Sequence, residues 1–302
     1  MTGPVPFRRV AILTNRRSGS AGAAGDAVAM CEAWARRAGS LVLRGAERGG
    51  IGQQLDALPG TEPDLVIAIG GDGTINAGAS FCVEHDVPLA IVPTGTMNLV
   101  AKDLDIPLDP LSAAACIERA LVRRIDVGRA GGQVFLHSAL VGLAPHLAKE
   151  REAMRSAETP LDALGAGLGW VRRLAAHEGI ELLLRSDNAA ARTTVHSLAV
   201  TVNPLRDDNV FGHRRSSLDS GVLGVYASGD AGDLAGLRTV ATLASGRLES
   251  DPNTLRTARR SLTLESPSPS LDVALDGEVR TLRTPIEFNI EPCALRVLGG
   301  AA

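Results

Sequence analysis

The chain has 302 residues, 45% hydrophobic and 22% charged, and a formal net charge of −3. That composition excludes a disordered polymer and supplies apolar material for about two cored domains, while the mild acidity gives no drive toward nucleic acid. Every basic residue except Lys102 and Lys149 is an arginine, and neither lysine follows a glycine, so a G-K-[ST] phosphate loop is excluded as well.

The elements of the first 125 residues alternate between strand and helix. Val10 to Thr14 is a short apolar run that ends in the loop Asn15-Arg16-Arg17-Ser18-Gly19-Ser20. Residues 21 to 38 suit a helix, with Cys31, Trp34 and Ala35 at helical spacing. Leu41 to Leu43 is a second strand. Leu65 to Ile69 is a third, entering Gly70-Gly71-Asp72-Gly73-Thr74 and then a helix over about 75 to 85. Leu89 to Val92 is a fourth, entering Pro93-Thr94-Gly95-Thr96. Asp109 and Pro110 read as the cap and first turn of a helix from Leu111 to Val122. Strands separated by helices predict a mostly parallel sheet.

Beyond residue 125 the texture changes. Gln133 to Gly142, Ile180 to Arg185, Thr193 to Asn203, Val222 to Ala227 and Leu271 to Leu275 are short runs divided by turn residues, which predicts antiparallel strands in a sandwich or barrel. Helical insertions are expected at 143 to 176 and 231 to 246. In the first, Leu161, Leu164, Leu168, Val171 and Leu174 form an amphipathic stripe beside Trp170, suited to core packing before an acyl-chain pocket or a membrane interface. Ser266 to Ser270 reads as a turn. Cys31, Cys82, Cys116 and Cys293 are scattered, which predicts buried free thiols rather than a disulfide framework or a zinc site. No run approaches the ~20 apolar residues that span a bilayer, and the N-terminal apolar run is too short for a signal peptide, so a cytoplasmic location is expected.

Chemistry concentrates where strands end. A Gly-rich loop between a buried strand and a helix presents backbone N–H groups to an anion. Asp72 within that loop would repel a bare phosphate, which points to a nucleotide carrying Mg²⁺. Loops after parallel neighbouring strands share one sheet edge, the edge where open α/β folds bind ligands. The Asn15 to Gly19 loop would join them there. Asp276-Gly277, taken alone, marks a hairpin turn.

Together, Gly70-Gly71-Asp72-Gly73-Thr74-Ile75-Asn76, Pro93-Thr94-Gly95-Thr96-Met97-Asn98 and Asp276-Gly277-Glu278 resemble the diacylglycerol kinase catalytic-domain family, which includes bacterial lipid kinases and sphingosine kinases. The resemblance implies an α/β nucleotide-binding domain over 1–125, to which 284–302 returns in one reading, and a β-rich antiparallel sandwich over 126–283 for the lipid, with the site between them. It implies ATP bound by Gly70, Gly71, Asp72, Gly73, Thr74, Asn76, Gly95, Thr96 and Asn98, with Asn15, Ser18 and Gly19 contributing less. Asp72 would organise the Mg²⁺-phosphate, Glu278 would be the general base and Asp276 would orient it. The implied partner is a lipid at a membrane surface, with the protein cytoplasmic or peripheral at the inner face; a homodimer stays open.

Four departures stand out. Ala77 and Leu99 replace a usual Glu and Asp, Asn15-Arg16 replaces Asn-Pro, and Asp219-Ser220-Gly221 replaces D-D-G, which argues against a structural metal there. Arg172-Arg173 and Arg214-Arg215 read as solvated pairs before phosphate or headgroup contacts. His213, after Phe211-Gly212, lies by resemblance in a site-lining loop and is given no role. Two rival readings remain: an NAD-kinase-like phosphorylation of a soluble alcohol, and a nucleotide-binding regulator without catalysis.

Overall fold

The computed structural model describes residues 7–15, 21–44, 50–142, 179–186, 189–206, 214–228 and 254–301. The expected helices at 143–176 and 231–246 lie outside these residues, as do Arg16 to Ser20, Arg172-Arg173 and Phe211 to His213. In chain order the elements are β1 (Arg9–Thr14), α1 (Ala21–Arg37), β2 (Leu41–Arg44), α2 (Ile51–Asp56), β3 (Leu65–Gly70), α3 (Asp72–His85), β4 (Leu89–Pro93), α4 (Leu99–Asp103), α5 (Pro110–Cys116) and β5 (Ala120–Ala130). There follow β6 (Gln133–Phe135), β7 (Ser138–Gly142), β8 (Ile180–Ser186), β9 (Ala189–Val195), β10 (Ser197–Val202) and β11 (Leu223–Ser228). The last are β12 (Thr254–Arg259), β13 (Ser261–Glu265), β14 (Ser270–Leu275), β15 (Glu278–Arg283) and β16 (Ile286–Ala301). The chain divides into two compact units, Met1–Val127 with Pro292–Ala302, and Gly128–Glu291.

The first unit is built on a parallel sheet ordered β2-β1-β3-β4, extended by the C-terminal part of β16, where Val297 and Leu298 pair with Leu89 and Ala90. Every residue of β3 and β4 is buried, as expected of strands covered on both faces. In α1 the buried residues Ala24, Ala27, Cys31 and Ala35 recur every three or four positions, so the helix turns one stripe of small side chains inward.

Two boundaries differ from the sequence expectation. α3 begins at Asp72 rather than near 75, because Gly71 is extended and the Gly-rich segment is already helical beyond it. α5 ends at Cys116; a 3₁₀ turn covers Ile117–Arg119, and Ala120 opens β5. Leu121 and Val122, which extended an apparent helical pattern, are exposed strand residues. Their strand is set by pairing of β5 with β6 and β16, and partners that remote leave no local signal.

The second unit is a two-layer antiparallel structure. One layer runs β12-β11-β10-β7-β14-β15, and in the other β8 lies between β9 and β13, with β13 also pairing the N-terminal part of β16. One core joins them: Val200, Val225 and Val273 from the first layer pack in a cluster with Leu182, Leu264 and Phe288 from the second. Two expected single strands are each broken in two. Gln133 to Gly142 bends at Leu136-His137, and Thr193 to Asn203 bends at His196. Gly128 admits no side chain, since a Cβ there would lie 2.3 Å from the Phe135 ring.

Candidate functional site

In the first unit, strand register brings the predicted loops to one sheet edge. Thr14 is opposite Ile69, and Gly70 is opposite Pro93, so the chain leaves β1, β3 and β4 side by side. Asn15, Gly71-Asp72 and Thr94 to Asn98 emerge there. Ser18 and Gly19 lie outside the described residues.

The loops Gly70 to Thr74 and Thr94 to Asn98 touch backbone to backbone. A Cβ on Gly95 would lie 2.7 Å from the Gly71 Cα and 2.9 Å from Asn98 Oδ1, a separation that only glycine tolerates without a backbone shift. The Thr94 N–H donates to the Gly70 carbonyl at 2.9 Å. Asn98, buried and at φ +48°, closes its own loop: its Oδ1 accepts from the Gly95 N–H at 3.1 Å and its Nδ2 donates to the Gly95 carbonyl at 2.8 Å. Thr96 is exposed, Thr74 is buried and Asn76 is half-buried.

Asp72 joins the loops. Its Oδ2 accepts from the Asn98 N–H at 2.9 Å and its Oδ1 from the Leu99 N–H at 3.0 Å, at the start of α4. A carboxylate in the first turn of α3 thus satisfies two backbone donors at the start of another helix and fixes the Pro93 to Leu99 loop against the Gly70 to Thr74 loop. Leu99 takes part through its backbone, so this clamp does not need a carboxylate at that position. Gln54 was not anticipated from sequence. It is buried in α2, accepts from the Thr14 N–H at 3.1 Å and donates to the Thr14 carbonyl at 2.8 Å, which holds the end of β1 in place. One of two adjacent glutamines in a six-residue helix carries no signal of that role.

In the second unit, Asp276 and Gly277 form the two-residue turn between β14 and β15, with φ of +48° and +92° and Leu275 opposite Glu278. Positive φ at both central residues is the turn that matches strand twist, and Asp-Gly is among its preferred pairs. The turn is also tied down. The buried Asp276 carboxylate accepts the N–H groups of Leu136 at 2.7 Å, His137 at 2.8 Å and Ser138 at 2.9 Å, while the Asp276 N–H donates to the Ser138 carbonyl at 2.8 Å. Glu278 is exposed at the first position of β15, with its carboxylate 2.7 Å from the Arg280 guanidinium.

Arg215 departs from the expectation of a solvated pair. It is buried, and its Nη1 donates to the carbonyls of Leu136 at 2.7 Å and Val202 at 3.3 Å. Ser220, at the D-D-G position, donates its hydroxyl and its N–H to Asn203 Oδ1. Of the four thiols, Cys31 and Cys82 are buried, whereas Cys116 and Cys293 are exposed, so the expectation of buried thiols holds for two. Burial, reinforced by the neighbouring Glu32 charge, pushes the Cys31 thiol up to about 12, and burial raises Cys82 as well. Among the described residues no group of three or more His, Cys, Asp or Glu side chains gathers as a metal cage.

Comparison with known proteins follows the same outline. The diacylglycerol kinase catalytic domain profile matches residues 9–130. A "probable lipid kinase YegS-like" of Pseudomonas fluorescens is 31% identical over 250 residues, covering 78% of this chain and 80% of that protein. A diacylglycerol kinase of Bacillus subtilis is 42% identical over 81 residues, 26% of this chain and 27% of that one. An uncharacterized Synechocystis protein is 26% identical over 245 residues, and the match spans 79% of this chain but only 55% of that protein's length. In fold, the chain is similar to a solved diacylglycerol kinase structure from Bacillus anthracis, with a TM-score of 0.68 at 17% identity over 98% of each chain. Fold and matches together define an enzyme of the lipid-kinase class. The chain belongs to the diacylglycerol kinase catalytic-domain family.

Proposed function

We propose that this lipid kinase transfers the γ-phosphoryl group of ATP to a lipid hydroxyl, that of diacylglycerol or a related lipid presented at a membrane surface. The observation that carries the reading is the pair of loops Gly70 to Thr74 and Thr94 to Asn98, locked together by Asp72 at the carboxyl edge of the parallel sheet. Backbone N–H groups at the start of α3, with no side chain on Gly70, Gly71 or Gly73 to obstruct approach, suit a polyphosphate. In this reading Gly95, Thr96, Asn98, Asn76 and Asn15 would contact the remaining nucleotide.

Mg²⁺ fits this donor set as an ion that arrives with the nucleotide. It is commonly held by one or two carboxylates, substrate phosphates and water rather than by an all-protein cage. Asp72 would hold it through lone pairs left by its two amide bonds, each oxygen having more than one acceptor site. When bound, the ion supplies charge neutralisation for the transferring phosphoryl group.

The chain's own chemistry falls to Glu278. Its carboxylate takes the proton of the lipid hydroxyl as that oxygen bonds to the γ-phosphorus; the bond to the ADP oxygen breaks, and ADP leaves. Arg280 steadies the carboxylate at 2.7 Å. No helix among the described residues is long and apolar enough to cross a membrane, consistent with a kinase that meets its lipid at the surface.

The test is phosphoryl transfer from radiolabelled ATP with Mg²⁺ to mixed vesicles containing diacylglycerol. The wild type should label a lipid, and Glu278→Gln should lose about 100-fold or more, the usual scale of general-base removal. Absence of any labelled lipid, or equal labelling by Glu278→Gln, overturns the reading.

A further inference from the structure

We propose that Arg215 is a positioning residue for the Asp276-Gly277-Glu278 hairpin, acting through the corner between β6 and β7. This rests on the assignment of Glu278 as the base. The peptide between Leu136 and His137 lies between two charged groups. Its carbonyl accepts from the Arg215 guanidinium at 2.7 Å, and its N–H, on His137, donates to Asp276 Oδ1 at 2.8 Å. Cation, peptide dipole and anion are therefore aligned in one chain of hydrogen bonds, and each bond polarises the next. The flanking N–H groups of Leu136 and Ser138 complete the hold on Asp276.

The same guanidinium also donates to Val202 at the end of β10, which ties the corner to a second strand. Both charges are buried, at 5% exposure for Arg215 and 9% for Asp276. A buried guanidinium is costly to desolvate, and the bonds it makes here go to the β6–β7 corner and to the end of β10. The geometry fixed here is that of the turn: Asp276 cannot move without breaking its bonds to 136–138, and Glu278 stands two residues beyond it. Arg215 reaches neither nucleotide nor acceptor in this scheme; it sets where the base carboxylate stands.

The experiment is a double-mutant cycle with an exchange measurement beside it. Arg215→Met removes the donor, and Arg215→Lys restores a charged donor without the planar fork. Arg215→Met should lower kcat about 100-fold, the scale of an ångström-level misplacement, with KM for ATP within about twofold. Arg215→Lys should recover about tenfold of that loss. In the Glu278→Gln background either substitution should cost less than about twofold, because the group being positioned no longer works. Amide exchange at Leu136, His137 and Ser138 should speed about tenfold or more in Arg215→Lys without any substrate present, a readout that survives if Arg215→Met fails to fold.

Wild-type kcat in both Arg215 variants, with Glu278→Gln strongly impaired, overturns the positioning role alone. An equal loss in both backgrounds does the same, by showing that Arg215 acts apart from Glu278. Full activity of Glu278→Gln overturns the base assignment, and the positioning role with it.

Discussion

Replacing Asp72 with asparagine separates two roles for this carboxylate, because its bonds to the protein exist without any ligand. In the wild type, Oδ2 and Oδ1 each accept one backbone N–H, from Asn98 and Leu99. Hydrogen bonds to a charged group contribute about 1.5–3 kcal/mol each. Asparagine keeps one neutral acceptor, worth about 1 kcal/mol, and turns an NH₂ toward the other N–H, leaving that donor unsatisfied. The expected cost is about 2–5 kcal/mol, localised to the Pro93 to Leu99 loop. At 1.4 kcal/mol per tenfold, amide exchange at Asn98 and Leu99 should accelerate by about 30-fold at the lower end of that range. The assay is hydrogen exchange on the free protein, without metal or nucleotide, with the Leu65–Gly70 amides as an internal control. Unchanged protection at Asn98 and Leu99 would refute the clamp and return Asp72 to a role in ligand binding alone.

Three further outcomes follow from other sites. Gly95→Ala places a methyl group 2.7 Å from the Gly71 Cα; the loops must separate at a cost of about 1–3 kcal/mol, and ATP affinity measured by calorimetry should fall at least about tenfold. A disulfide-exchange reagent at pH 8 should label Cys116 and Cys293 rapidly in the native protein, while Cys31 and Cys82 react only on denaturation, because burial holds both thiols protonated. The Asp109 carboxyl is held below its ordinary range by the Ser112 hydroxyl and N–H that it accepts at the start of α5. A depressed carboxyl stabilises above its unfolded value and loses that contribution as pH falls through its folded one. Asp109→Ala should therefore weaken amide protection in α5 near neutrality, with the difference from wild type disappearing in acid once the pH falls through the lowered folded-state value.

The parallel half was legible because its signals are local. A strand covered on both faces must be apolar throughout, and β3 and β4 are; loops after parallel neighbours must share an edge, and register places Gly70 opposite Pro93. The antiparallel half was legible in character but not in detail. β5, β12, β13, β15 and β16 were not anticipated, since their residues are half exposed and their identity as strands depends on partners far along the chain.

The site divides the same way. Sequence alone determined which residue types cluster at the strand ends, because glycine where a backbone must be approached and Asp-Gly where φ must be positive are requirements of the local chain. It could not determine what the carboxylates hold. Beside the roles the resemblance implies, Asp72 binds the amides of Asn98 and Leu99, and Asp276 binds three amides at 136–138. Arg215 read as solvated and is buried on two carbonyls. Hydrogen-bond partners 140 residues apart, as Leu136 and Asp276 are, meet only when the sheets are assembled. Which charges face solvent and which lock a loop was therefore decided by tertiary structure.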